Sequence, residues 1–381
     1  MIQDDQVRFR KEFESYLQFW NRYMFKKDGN AIYPEISTDN IPNERADMGA
    51  MYLSRVIYGA SRGCLQLKTE QFKPLALVAF KMLAEFKNPL GGYFWARKYN
   101  MEWIHDPENV NMAQAFILYG FADYALMDDS SEGGQLMDKQ LAFFESTLKD
   151  DLGSFYLDGF DEQWARTKNM TRSFATHFHF MEALVKVYEL KKDVEIKNSI
   201  QNLLEVILDR FIEKEHYSCI HRFTEDWQML PNENWAGHNA ECSWVMCHAA
   251  KTINNTELIE RTEKIAVLMM NKVIEKARDV DNGGYFNLIS ADGSEEDKSW
   301  WPQAEVVLGL LNAYKITGDK AYQKLAQDQI RYIQKYFIND TGEWNTAVNQ
   351  KGEPIKSTPQ IFFWKSMYHT VRYYDYLITN T

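Results

Sequence analysis

Three short clusters set a histidine near the start of a helix-patterned segment. The first is Thr176-His177-Phe178-His179-Phe180-Met181-Glu182, the second Gly237-His238-Asn239-Ala240-Glu241-Cys242-Ser243-Trp244, the third Trp364-Lys365-Ser366-Met367-Tyr368-His369. Residues three apart share a helix face and residues two apart do not, so Glu182 neighbours His179 rather than His177. Glu241 stands in the same relation to His238. A single histidine on a helix is most often a core or capping residue; three at equivalent places in different segments point to convergence. Neutral imidazole titrates at about 6.5, and a glutamate one turn away fixes its tautomer and supports its protonated form. Acid/base chemistry is the expected use. A metal held by His179, His238 and His369 is the weaker reading, because neither Glu-x-x-His with added glutamates nor His-Glu-x-x-His occurs. No metal and no cofactor are expected.

The aromatic inventory points to a sugar. The 381 residues include 23 Phe, 21 Tyr and 11 Trp, or 14% of the chain. Trp300-Trp301, followed by Gln303 and Glu305, combines flat faces with hydrogen-bonding groups, which is what a polyhydroxylated ring requires. Gly59-Ala60-Ser61-Arg62-Gly63 matches the nucleophile elbow in letters, but it follows a helical run where that motif needs a strand. No phosphate-cradling loop or dinucleotide fingerprint is present. A glycoside hydrolase would use paired carboxylates about 5 to 9.5 Å apart; Asp226 and Glu305 are candidates, less clearly marked than the histidines.

The elements that must position these groups are of one type. Apolar residues recur at i, i+3, i+4 and i+7 over about twelve segments: 4–27, 44–63, 69–87, 107–127, 132–149, 172–190, 193–214, 238–253, 255–277, 297–316, 319–337 and 361–378. After every second segment a glycine meets an aromatic: Gly91-Gly92-Tyr93-Phe94, Gly153-Ser154-Phe155-Tyr156, Gly283-Gly284-Tyr285-Phe286 and Gly342-Glu343-Trp344. Stretches such as 114–126 and 304–314 are apolar nearly all round and need burial on both sides, as the inner ring of a closed toroid provides. The expectation is an all-α, six-hairpin (α/α)6 barrel, one catalytic domain over 1–381, with short β segments in the loops at the end that carries the site.

Charge and composition narrow the partners. With 43 Lys and Arg against 54 Asp and Glu, the net charge of −11 supplies no footprint for nucleic acid. No stretch reaches the roughly 18 apolar residues of a membrane span, and the acidic start Met1-Ile2-Gln3-Asp4-Asp5 is unlike a signal peptide. A cytoplasmic enzyme acting on a small sugar is expected. Cys64, Cys219, Cys242 and Cys247 fall in no recognisable spacing and read as structural thiols.

Taken in order, these motifs resemble the N-acylglucosamine 2-epimerase superfamily, with its cellobiose 2-epimerases, mannose 2-epimerases and mannose isomerases. Ser54-Arg55-Val56-Ile57-Tyr58-Gly59-Ala60-Ser61 looks like the helix carrying the family's substrate arginine, and Gln114-Ala115-Phe116 like its Gln-Ala-Phe segment. The histidine clusters and Trp300-Trp301-x-Gln303-Ala304-Glu305 look like its other signatures. The resemblance implies that His238 and His369 are the acid/base pair, assisted by Arg55 and His179, and that the enzyme is a homodimer. On that basis Glu241 is expected to orient His238 and Glu182 to orient His179. Trp301 is expected to stack on the sugar, Trp364 being a second platform, with Trp300, Gln303, Gln114, Glu182 and Met112 at the substrate. Two positions depart from the family: Ala175 replaces an Asn and Met112 a Tyr, both beside the substrate in relatives, which bears on the sugar's identity. The Gly-His-x-x-Glu-x-x-Trp form favours a 2-epimerase over an aldose–ketose isomerase.

Overall fold

A computed structural model of the chain describes residues 3–128, 130–150, 153, 155–289 and 297–380; Ser154 of the second glycine–aromatic connection lies outside them. Twelve α-helices occur among the described residues, and they alternate between two rings. The inner ring comprises α2 (Ala50–Leu67), α4 (Val110–Met127), α6 (Phe174–Lys191), α8 (Ala236–Thr252), α10 (Trp300–Thr317) and α12 (Tyr368–Asn380). The outer ring comprises α1 (Gln3–Tyr23), α3 (Lys73–Ala84), α5 (Ser131–Thr147), α7 (Val194–Val206), α9 (Thr256–Ala277) and α11 (Lys320–Tyr336). Each inner helix packs on the next, α12 returns to α2, and α1 covers α12, so the ring closes. This is the (α/α)6 barrel expected from the helix pattern.

The two rings follow from two kinds of helix. Every residue of α4 from Val110 to Tyr124 is buried, as all-round apolar character demands. α11 instead buries Ala326, Gln329, Ile330, Tyr332 and Ile333, a single stripe at helical spacing, and turns its charges outward. Side-chain caps start several of the helices: Ser173 accepts from Thr176 N–H, Asp193 from Glu195 N–H, and Asn255 from Leu258 N–H.

A β-bridge follows each outer helix: Phe25 with Ile32, Lys87 with Tyr93, Lys149 with Tyr156, Ile212 with Cys219, Arg278 with Tyr285, and Ile338 with Trp344. Four of the six carry the glycine–aromatic signature. Gly92 and Gly284 adopt φ of +63° and +74°, a left-handed backbone that favours glycine. Short antiparallel strands lead into inner helices. β1 (Met48–Gly49), β2 (Ala96–Arg97) and β3 (Trp103–Ile104) form one sheet, and β4 (Asp158–Phe160), β5 (Arg166–Ser173) and β6 (Arg222–Thr224) a second. β7 (Lys298–Ser299) pairs with β8 (Ala347–Val348). β1, β5 and β7 immediately precede α2, α6 and α10, so the strands gather at the end where the inner helices begin.

The last helix starts later than its apolar pattern suggests. Residues 361–367 form a loop because the buried Lys365 ammonium takes the Glu343 carboxylate (2.8 Å) and the carbonyls of Trp344 (2.9 Å) and Gln360 (2.7 Å) as acceptors, which ties the chain into a non-helical path. All four cysteines are buried thiols without a disulfide. No helix among the described residues is long and apolar enough to cross a membrane.

Candidate active site

At the barrel axis, one arginine gathers three glutamates from three helices. Arg372 of α12 donates to Glu182 of α6 (2.6 Å), to Glu305 of α10 (2.7 Å) and to Glu241 of α8. Tyr368, one turn earlier, donates to Glu182 at 2.7 Å. All of these side chains are buried, so their charges are exposed to one another in a low dielectric rather than to water. Burial pushes the Glu182 carboxyl up, but Arg372, His179 and Tyr368 together hold it down, at about 2. For Glu241 and Glu305 burial prevails over Arg372, and both stand above the ordinary carboxylate range. Carboxylate and imidazole atoms of Glu241, Glu305 and His369 lie within 4.8 Å of one another, a spacing that could ligate an ion. The Arg372 guanidinium supplies the compensating positive charge there.

Three imidazoles stand on the side of this hub that faces the helix N-termini. His179 bonds Glu182 through Nδ1 at 2.8 Å, and His369 bonds Glu305 through Nδ1 at 2.7 Å. His238 also uses Nδ1, but its partner is His221 Nε2 at 3.0 Å. In each case Nε2 remains the atom available to a bound molecule. The Trp301 ring lies between two of them, 4.9 Å from His238 and 5.3 Å from His369. Phe116 lies 4.5 Å from His179. Burial pushes His238 and His369 well below the ordinary histidine value, and the neighbouring histidines push His238 further. Both are therefore neutral at pH 7 and able to accept a proton.

Arg55 of α2 borders the same space. Its guanidinium lies 4.1 Å from the Phe116 ring centroid and 5.2 Å from that of Tyr368, Nη1 donates to the Trp364 carbonyl (3.2 Å), and Nε has no protein partner. Burial lowers its pKa to about 10, which leaves it cationic at neutral pH with donor capacity to spare. Trp364 is 44% exposed beside Trp95 and Phe363, at the rim.

Several expected contacts are redirected. Glu241 does not orient His238: its carboxylate is drawn inward by Arg372 and accepts from Tyr368 at 3.4 Å, and His221 takes its place. Gln303 and Gln114 are fully buried and committed to backbone. Gln303 accepts from Tyr285 N–H and donates to its carbonyl, and Gln114 does the same for Tyr93. They clamp the glycine–aromatic turns, with Gln329 and Gln140 behind them, and hold no free group for a sugar. Trp300 turns into the core, its ring 5.5 Å from the Lys365 ammonium. Met112 is buried in the first turn of α4, and Ala175 half-buried in that of α6. Glu182 has both oxygens taken by protein groups. His177 is structural: Nδ1 meets the Ser173 carbonyl at 2.8 Å and Nε2 accepts from Tyr156 N–H. Asp226 is exposed in a loop bonded to Thr224, whereas Glu305 is sealed by Arg372, His369 and Trp244. Those two carboxylates form no hydrolase pair.

Beyond the hub, between the C-terminal halves of the inner helices, lies a cavity of about 390 Å³. Among its lining residues Arg62 pairs with Asp375 at 3.1 Å and Lys251 with Glu263 at 2.7 Å, and none of the three histidines lines it.

Residues 32–372 match the family model of N-acylglucosamine 2-epimerase. The chain belongs to that family. It is 24% identical to a cellobiose 2-epimerase of Bacteroides fragilis over 93% of this chain and 94% of the relative. It is 21% identical to a D-mannose isomerase of Marinomonas mediterranea over 86% and 83%. The solved cellobiose 2-epimerase of Bacillus thermoamylovorans superposes with a TM-score of 0.90 over 100% of both chains at 22% identity, which shows the shared fold. This member of the N-acylglucosamine 2-epimerase family is thus a carbohydrate epimerase of the isomerase class on an (α/α)6 barrel. Two residues of the site lay outside the sequence reading: Arg372, whose signal was a lone cation in the apolar run Val371-Arg372-Tyr373-Tyr374, and His221, which no helical spacing links to His238.

Proposed function

We propose that the enzyme inverts C2 of a reducing aldose (a glucose- or mannose-type hexose, an N-acylglucosamine or a cellobiose-type disaccharide) by proton transfer through a cis-enediolate. The physical problem is a weakly acidic C2 proton beside a carbonyl masked in a closed ring. His179 assists ring opening. Of His238 and His369, one removes the C2 proton and the other returns a proton to the opposite face. A positioned group of this kind contributes about 10²- to 10⁴-fold. Arg55 holds the developing enediolate oxygen, a charge interaction strengthened where water is excluded. Trp301 provides the stacking face between the two bases, and Trp364 at the rim a face for a second ring. The same reading has one catalytic domain, working in the cytoplasm as a homodimer, without a cofactor.

The observation that carries the proposal is the meeting of three imidazoles from α6, α8 and α12, each held through Nδ1 and each keeping Nε2 for the bound molecule. The likeness to cellobiose 2-epimerases supports C2 inversion; the likeness to a D-mannose isomerase supports the second reading, in which the proton returns to C1 and a ketose forms. Incubation with mannose, glucose, cellobiose and N-acetylmannosamine, followed by product analysis, separates them. A C2 epimer as the main product is expected. Ketose as the main product selects the isomerase, and release of monosaccharide from cellobiose rejects both.

A further inference from the structure

We propose that His221 is a positioning residue for His238, a neutral imidazole that fixes the tautomer of the proton-transferring ring where His179 and His369 use carboxylates. The inference rests on the acid/base reading of His238 and adds to it a residue that faces no substrate.

The geometry pairs the two rings through one nitrogen of each. His221 Nε2 and His238 Nδ1 are 3.0 Å apart, with the rings at 74° and centroids separated by 4.8 Å. The His221 backbone is tied on both sides: its carbonyl accepts from Phe174 N–H at 2.9 Å, and its N–H donates to Asn232 Oδ1 at 2.8 Å. The Glu233 backbone lies near the His221 ring and opposes the lowering of its pKa by burial. A neutral imidazole carries one N–H. We place the single proton of neutral His221 on Nδ1, the side of the Glu233 backbone, so that His221 Nε2 accepts and His238 Nδ1 donates. The His238 lone pair is thereby placed on Nε2, facing the pocket.

The groups that face His238 are His221 from the segment before β6, His179 from α6 and His369 from α12, together with the apolar faces of Trp301, Trp235 and Phe174. None is a carboxylate. Burial lowers His221 to about 4, so the partner stays uncharged near neutral pH. A neutral acceptor steadies the protonated form of His238 less than a carboxylate would, which keeps the His238 Nε2 lone pair free to take a proton near neutral pH.

Three variants and one spectrum test this. His221→Ala should lower kcat by about 10²-fold, with KM changed less than about threefold, because an unheld His238 samples the wrong tautomer. His221→Asn, which keeps an acceptor, should recover most of that loss with the pH profile unmoved. His221→Asp places an anion at Nδ1, favours protonated His238, and should move the acid limb of kcat/KM upward by about one pH unit. In the unaltered enzyme, histidine ¹⁵N spectra at pH 7 should show His238 protonated at Nδ1 and bare at Nε2, a readout independent of any variant's folding. A His238 proton on Nε2, a fully active His221→Ala enzyme or an unmoved limb in His221→Asp overturns the proposal. His238→Ala is measured alongside: if it retains turnover, the acid/base reading itself fails, whereas an inactive His238→Ala beside an indifferent His221 removes only the positioning role.

Discussion

Arg372 decides how much charge the centre can hold. Three carboxylates meet its guanidinium in a space closed to solvent, and removing one member of such a buried set leaves uncompensated charge worth about 3–5 kcal/mol. Arg372→Met is therefore expected to lower stability by about that amount, read as the midpoint of urea unfolding, and to abolish turnover because Glu182 and Glu305 no longer hold His179 and His369. An Arg372→Met protein with an unchanged midpoint would contradict the hub. The three histidines and the His179–Glu182 pair were legible in the sequence, the histidines because they recur near the starts of similar helices and the pair because its members are three apart; the His369–Glu305 pair was not. Arg372 and His221 were not, since each acts on groups far away in the chain, and neither periodicity nor spacing encodes which remote segments meet. Glu241 shows the same effect in reverse: its spacing from His238 is right for contact, but a buried guanidinium offers its carboxylate a stronger partner.

At the scale of elements, the N-terminal turns of inner helices position the site, and close packing fixes their relative placement. Gly237 opens α8 directly under Trp301; a methyl group there would come within 2.2 Å of the indole ring. Gly237→Ala is expected to fold, to displace Trp301, and to raise KM by about tenfold or more while the acid limb of the pH profile stays in place. An unaltered KM would show that Trp301 is not the stacking face. The twelve helices could be read from apolar periodicity, since the inner ones are apolar all round and the outer ones carry a stripe. The loop at 361–367 could not, because its path depends on acceptors for the Lys365 ammonium rather than on its own apolar pattern. The glutamines of the clamped turns were visible as residues but misassigned, because a buried amide meets backbone groups more readily than it waits for a ligand.

For the whole molecule, buried histidines tie stability to pH. Burial lowers His177 to about 4 against an ordinary 6.5, and His221 likewise to about 4. A depressed folded-state pKa means the unfolded chain binds more protons between these values, so the stabilisation is complete above 6.5 and lost as pH falls toward 4. His177 alone accounts for about 3 kcal/mol by this arithmetic. Asp158 acts oppositely: burial raises it to about 6, so its contribution is full below 3.8 and lost as pH rises through 6. Urea unfolding between pH 7 and 4 should show stability falling with acid, and His177→Gln should flatten that fall; an identical slope in the variant would contradict the assignment. Ring closure explains why such groups can be buried at all, since twelve helices around one axis shield the centre on every side. The most direct test of the account is to run the reaction in D2O and follow the sugar's C2 by NMR. The account predicts deuterium at C2 of the inverted product, with inversion lost in both His238→Ala and His369→Ala; inversion without deuterium at C2, or inversion that survives either substitution, would contradict it.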